Sequence, residues 1–219
     1  MGPALASESP QALLKGRDYT IIFGKTIAEP LRKPPGFEER WQQAQQAISQ
    51  LAKQCEALDP DGITLYVASD QADQTLAFRK YTHVTSFKLQ ALIAANYPPT
   101  SLYLKPVLQD ALDGYFARKA VGQTKPNGEI ILVLLDGEPC DRANIAKLIM
   151  QASHQLDRDE ELGIGFVQIG DDFIARGFLT ALDDNLQEFG AKFDIVDTKA
   201  LENIQPDSLL DFLKDVIHD

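Results

Sequence analysis

Residues 129–135 read Glu-Ile-Ile-Leu-Val-Leu-Leu and stop abruptly at Asp136-Gly137. Six apolar residues in a row, rich in β-branched side chains and bounded by a turn signal, suit a strand with no wet face. A sheet built around such a strand needs cover on both sides, and cover on both sides of a parallel sheet comes from crossover helices. Tyr19 to Phe23 is a second run of this kind, ending at Gly24-Lys25.

The intervening chain supplies the helices. From Glu38 to Leu58 the apolar positions Trp41, Ala44, Ile48, Leu51, Cys55 and Leu58 recur at steps of three and four, so they share one helical face. Asp59-Pro60-Asp61-Gly62 ends that helix, and Ile63 to Ala68 reads as the next strand. Leu76 to His83 fits a short edge strand, its Arg79, Lys80 and Thr82 discouraging edge-to-edge pairing. Thr85 or Ser86 is placed to cap a helix running to Asn96. Thr100 or Ser101 is placed to cap another to about Lys119, with Pro106 tolerated in its first turns. Asp141 is expected to cap a helix bearing Ile145, Leu148, Ile149, Ala152 and Leu156. A strand at Leu162–Ile169, a helix at Phe173–Phe189, a last strand at Phe193–Val196 and a last helix at Ser208–Ile217 follow. The alternation predicts an α/β chain with a three-layer, Rossmann-like, doubly wound and mostly parallel sheet, carrying an antiparallel edge strand. Residues 1–16, small and aperiodic, read as a flexible leader, and residues 17–219 as one domain.

A net charge of -11 would repel a polyphosphate backbone, so nucleic acid is not an expected partner. No stretch reaches the roughly 18 apolar residues of a membrane span, and the first residues lack the pattern of a secretion signal. The expectation is a cytoplasmic protein that is not integral to a membrane. The two cysteines, Cys55 and Cys140, form neither a disulfide framework nor a zinc motif; Cys55 reads as a core residue and Cys140 as a loop residue.

In open α/β sheets ligands collect outside the carboxyl ends of the strands, which directs attention to the turns after Phe23 and Leu135. Asp136 is the carboxylate there, although an Asp-Gly pair is also an ordinary turn. The order of strand, polar loop, amphipathic helix, Asp-Pro-Asp-Gly strand, Pro99-Thr100-Ser101 and Leu-Leu-Asp-Gly-Glu-Pro resembles a von Willebrand factor A (VWA) domain of the intracellular bacterial, cyanobacterial-like type, over roughly residues 17–219. That family has a metal-ion-dependent adhesion site. Its first loop is Asp-x-Ser-x-Ser, where this chain reads Gly24-Lys25-Thr26-Ile27-Ala28. The resemblance therefore implies a degenerate site in which Thr26, Thr100 and Asp136 remain as oxygen donors, with Glu29 or Glu138 as candidate replacements.

Magnesium prefers about six oxygen ligands and usually needs carboxylate charge, so loss of one Asp and one Ser should weaken binding severely. Hence no cofactor is expected, with weak Mg2+ or Mn2+ binding as the alternative. The family's capture of acidic partner groups suggests a protein partner reached through an acidic side chain, with Lys25, Arg32, Lys33 and Glu138 as candidate contacts. Scattered solvated charges are the plainer reading of those residues. The function expected is a non-enzymatic protein-binding, assembly or scaffold module. Its alternatives are a residual Mg2+-dependent adhesion domain and, in another class, an α/β enzyme or nucleotide-binding protein. Against the last, the chain has no GxGxxG after its first strand, no GxxxxGK[ST] and no GxSxG, and His83, His154 and His218 lack an evident nucleophile. Self-association is left open.

Overall fold

The structure, a computed structural model, describes residues 10–27, 37–70, 77–204 and 209–218. Six strands form one sheet. They are β1 (Asp18–Gly24), β2 (Ile63–Ala68), β3 (Phe78–Val84), β4 (Glu129–Leu135), β5 (Leu162–Gln168) and β6 (Val196–Ala200), in the order β3-β2-β1-β4-β5-β6. All neighbours are parallel except β2 and β3, so the expected mixed sheet with an antiparallel edge is present. The helices are α1 (Pro10–Leu14), α2 (Phe37–Leu58), α3 (Ser86–Ala94), α4 (Lys105–Ala120), α5 (Arg142–Ser153), α6 (Phe173–Asn185) and α7 (Leu209–His218).

Every residue of β4 is buried, and strict alternation divides them between two cores. Ile131, Val133 and Leu135 join the core under α4, α5 and α6. Ile130, Leu132 and Leu134 join the core under α2, α3 and α7. The second core gains depth from β5, where Gly163 and Gly165 stand below α7. A Cβ on Gly163 would lie 2.4 Å from the Val216 carbonyl oxygen, and one on Gly165 would lie 2.8 Å from a Val216 methyl. Only glycine lets the helix backbone come so close.

Three elements differ from the sequence expectation. The stretch read as leader contains α1, whose Leu14 is fully buried and whose Leu14 carbonyl accepts the Tyr19 hydroxyl at 2.7 Å. Residues 1–9 lie outside the described residues. The last strand falls at Val196–Ala200 rather than Phe193–Val196; as an edge strand paired only to β5, it tolerates Asp197, Thr198 and Lys199. The helix expected to start at Thr100 or Ser101 begins at Lys105, because Leu102 and Leu104 are buried in the preceding segment.

Asp141 accounts for that later start. It precedes α5, yet its side chain makes no capping bond there. Its carboxylate instead accepts the backbone N–H groups of Leu104 and Lys105, at 3.0 and 2.9 Å, across the gap to α4. A helix N-terminus welcomes a carboxylate both as an acceptor for orphan N–H groups and through the helix dipole. Thr85 similarly sits before α3 without capping it, and the Glu56 carboxylate of α2 accepts the Ser86 N–H at 2.9 Å.

A polar cluster closes the end of the sheet where the parallel strands begin. Glu129 is buried, accepts the Thr20 hydroxyl at 2.6 Å and pairs with Arg118; burial pushes its carboxyl up to about 7. Lys125 bridges Asp59, Asp61 and Asp18. No helix among the described residues is long and apolar enough to cross a membrane.

Replacing Asp141 by Ala removes the cap on α4 and should lower stability by about 1 kcal/mol, with Asp141→Asn losing less. Urea denaturation of the three proteins at neutral pH measures this; an Ala variant as stable as the parent would mean that the cross-loop cap contributes nothing.

Candidate functional site

The carboxyl ends of β1 and β4 are neighbours, Gly24 lying opposite Leu135, so the first loop and Asp136 emerge side by side. Further backbone bonds lace the loops together. Ile27 N–H donates to the Pro99 carbonyl at 2.8 Å, and Cys140 N–H donates to the Leu102 carbonyl at 2.9 Å. The three sequence-distant loops are thereby one unit.

Asp136 is its centre. The half-buried carboxylate accepts the Thr26 backbone N–H at 3.1 Å, the Thr26 hydroxyl at 3.1 Å to both oxygens, and the Trp41 indole N–H at 3.2 Å. Trp41 comes from α2, whose apolar face presses it edge-on against Phe23 of β1, with ring centroids 5.0 Å apart. A buried indole needs an acceptor for its N–H, and Asp136 provides it. Burial pushes the Asp136 carboxyl up to about 6, while the three donor groups, which favour the ionised form, pull in the other direction.

The other expected residues distribute as follows. Thr26 reaches Asp136 as a hydrogen-bond donor. Thr100 is exposed, and no hydrogen bond joins it to Asp136 among the described residues; the loop contributes its Pro99 carbonyl instead. Lys25 is held inward: its ammonium lies 5.4 Å from the centre of the Trp41 ring and 3.8 Å from Glu38. Glu138 is engaged by Arg142, one turn along, rather than turned toward Asp136. Ala28, Glu29, Arg32 and Lys33 lie outside the described residues. Gly24, where the family pattern has Asp, faces occupied space: a Cβ there would lie 3.0 Å from the Leu134 carbonyl oxygen and 3.2 Å from a Leu102 methyl. Among the described residues no group of three or more His, Cys, Asp or Glu side chains converges as a metal cluster.

Trp41 is the site residue that sequence reasoning missed. Its place on the helical apolar stripe marked it as core, which it is, and only its N–H signalled a second role. Asp141 was similarly hidden by its position at the head of α5.

The raised Asp136 carboxyl sets a sign for pH dependence. The folded state holds the proton more tightly than the unfolded chain, so this group favours folding while protonated and the benefit is lost as pH rises from about 4 to above 6. Asp136→Asn keeps an acceptor for Thr26 and Trp41 without the charge. Relative to the parent, its stability should rise over that window by on the order of 1–2 kcal/mol, after allowing for solvent screening. Denaturation of both proteins at pH 4, 5, 6 and 7 reads this; taking the difference cancels Glu129, which titrates in an overlapping range. A difference that stays flat with pH would contradict the assignment.

No family model matches the chain. No curated protein matches it either. Among solved structures it is similar to proximal thread matrix protein 1 from the mussel byssus, with a TM-score of 0.50 and 17% identity over 93% of this chain. The chain spans about half the length of that protein, 47%. At this identity the likeness is one of fold: the mussel protein has a VWA-like fold, in keeping with the sheet and helices described above.

Proposed function

We propose that this chain is a non-enzymatic protein-binding or scaffold module of the VWA type, with a degenerate adhesion site that works without a metal. One observation carries the reading. The Asp136 carboxylate, the single charged donor retained from the family's metal set, already accepts three protein donors, from the Thr26 backbone, the Thr26 hydroxyl and the Trp41 indole. A Thr26 hydroxyl whose proton points at Asp136 is turned as a donor rather than as a metal ligand. The side chain that could add a second carboxylate is missing at Gly24, and Leu102 stands against the position its Cβ would take. This donor set does not suit magnesium, which needs several oxygens at octahedral spacing and strong negative charge.

A loop unit stitched by its own hydrogen bonds is a rigid platform on which a partner can dock. The partner group it fits best is an acidic side chain placed beside Lys25, where it would compete with Glu38 for the ammonium.

Calorimetric titration of Mg2+ and Mn2+ into chelator-stripped protein tests the metal-free reading, with Asp136→Ala as the control. Millimolar or undetectable affinity in both proteins is expected. Tight binding that disappears in Asp136→Ala would sink the proposal and restore a metal-bridged adhesion site.

A further inference from the structure

Helix α6 buries one apolar face fully and leaves a second stripe partly open, with Phe178 alone of that stripe packed against the core. Ala175, Leu179 and Leu182 are buried against the sheet. Ile174, Phe178 and Ala181 repeat at steps of four and three on the outer side, and Ile174 is 64% exposed. That outer stripe borders a groove of about 220 Å3 between α5 and α6. It is lined by Arg142, Ala143 and Ala146 of α5, Phe178, Ala181 and Leu182 of α6, and Phe189, which is 65% exposed.

Gly177 lies one turn before Ala181 in α6, and a Cβ there would meet nothing within 4 Å. Glycine inside a helix weakens it, so a residue with free space and no internal packing duty is a local cost without a local reason. Close approach of a second helix is a physical reason, as small residues four apart let two helix backbones come together. The groove's dimensions agree, since three alanines leave room for large side chains of an incoming helix.

Charge selects among possible occupants. Asp184 in the last turn of α6 and Glu188 in the turn beyond it are both exposed and without an ion pair among the described residues. Carboxylates at the C-terminal end of a helix oppose its dipole, and cations from outside would relieve them. On the other rim Arg142 is neutralised by Glu138, and Lys147 stands on the outer side of α5. The uncompensated acidic flank is therefore the α6 side. A second copy of a chain with net charge -11 would bring further negative charge to it.

We propose that the α5–α6 groove docks an amphipathic helix of a protein partner, its apolar residues seated between Phe178 and Phe189 and its basic flank against Asp184 and Glu188. This surface is separate from the Asp136 loops and stands whether or not those loops bind anything.

The test uses the full chain and three synthetic 18-residue helical peptides: Leu and Lys in amphipathic register, the same register with Glu for Lys, and the same with Ser for Leu. Calorimetry should detect binding of the Leu–Lys peptide alone. Ala143→Glu, Gly177→Leu and the pair Asp184→Lys with Glu188→Lys should each weaken it at least tenfold, while Lys88→Glu on α3, across the sheet, leaves it unchanged. Gly177→Ala gives a readout that a purely structural glycine would not: a higher thermal midpoint together with weaker peptide binding. The proposal fails if the Leu–Lys peptide does not bind or binds all groove variants alike, which is general attraction to an acidic protein. It fails equally if the Leu–Glu or Ser–Lys peptide binds as well. Self-association abolished by Ala143→Glu, with no peptide binding, would assign the groove to a second copy instead.

Discussion

A strand with no wet face has to be covered twice, and β4 imposes that condition on the whole chain. Its odd and even positions feed two separate cores, so helices must lie on both sides of the sheet, α2, α3 and α7 on one and α4, α5 and α6 on the other. β1 obeys the same rule beside it, with Ile22 on one side and Tyr19, Ile21 and Phe23 on the other. The neighbouring positions of β1 and β4 then decide where the loops emerge. Gly24 and Asp136 are next to each other because two buried strands run in register, not because the loops attract one another.

Within that frame the Asp136 site is a balance between desolvation and hydrogen bonding. Burial alone would keep the carboxyl neutral, whereas three donors aimed at it support the charge. Lys25 adds a second balance beside it: its ammonium lies between the Trp41 ring face and the Glu38 carboxylate. The first loop works as a unit: Gly24 admits the close contact with Leu102, Thr26 donates to the Asp136 carboxylate, and Lys25 covers the indole that does likewise.

Much of the architecture was legible because period and burial coincide in it. β4, α2 and β2 announce themselves by uninterrupted or regularly spaced apolar residues, and the charges of β3 mark it as an edge. The errors arose where local pattern and tertiary role part company. Phe193 to Val196 is more apolar than the true β6, but only Ile195 and Val196 are fully buried, and the sheet edge accepts the polar residues that follow. Asp141 has the sequence position of one cap and performs another, since its side chain turns across the loop to α4. Thr26 bonds to Asp136 while Thr100 lies exposed, because residue identity in a motif does not carry the path of a loop, and here the Pro99 backbone carbonyl makes the contact. Trp41 was hidden by being right for another reason: a core residue need not advertise where its single N–H points.

Trp41 is also the chain's only tryptophan. Its indole is bonded to the carboxylate, edge-packed on Phe23 and overlaid by a lysine ammonium, so the chromophore sits inside the electric field of the loops. The protein therefore carries an optical probe at its own candidate site, where the colour and intensity of intrinsic emission follow the charge on one neighbouring side chain.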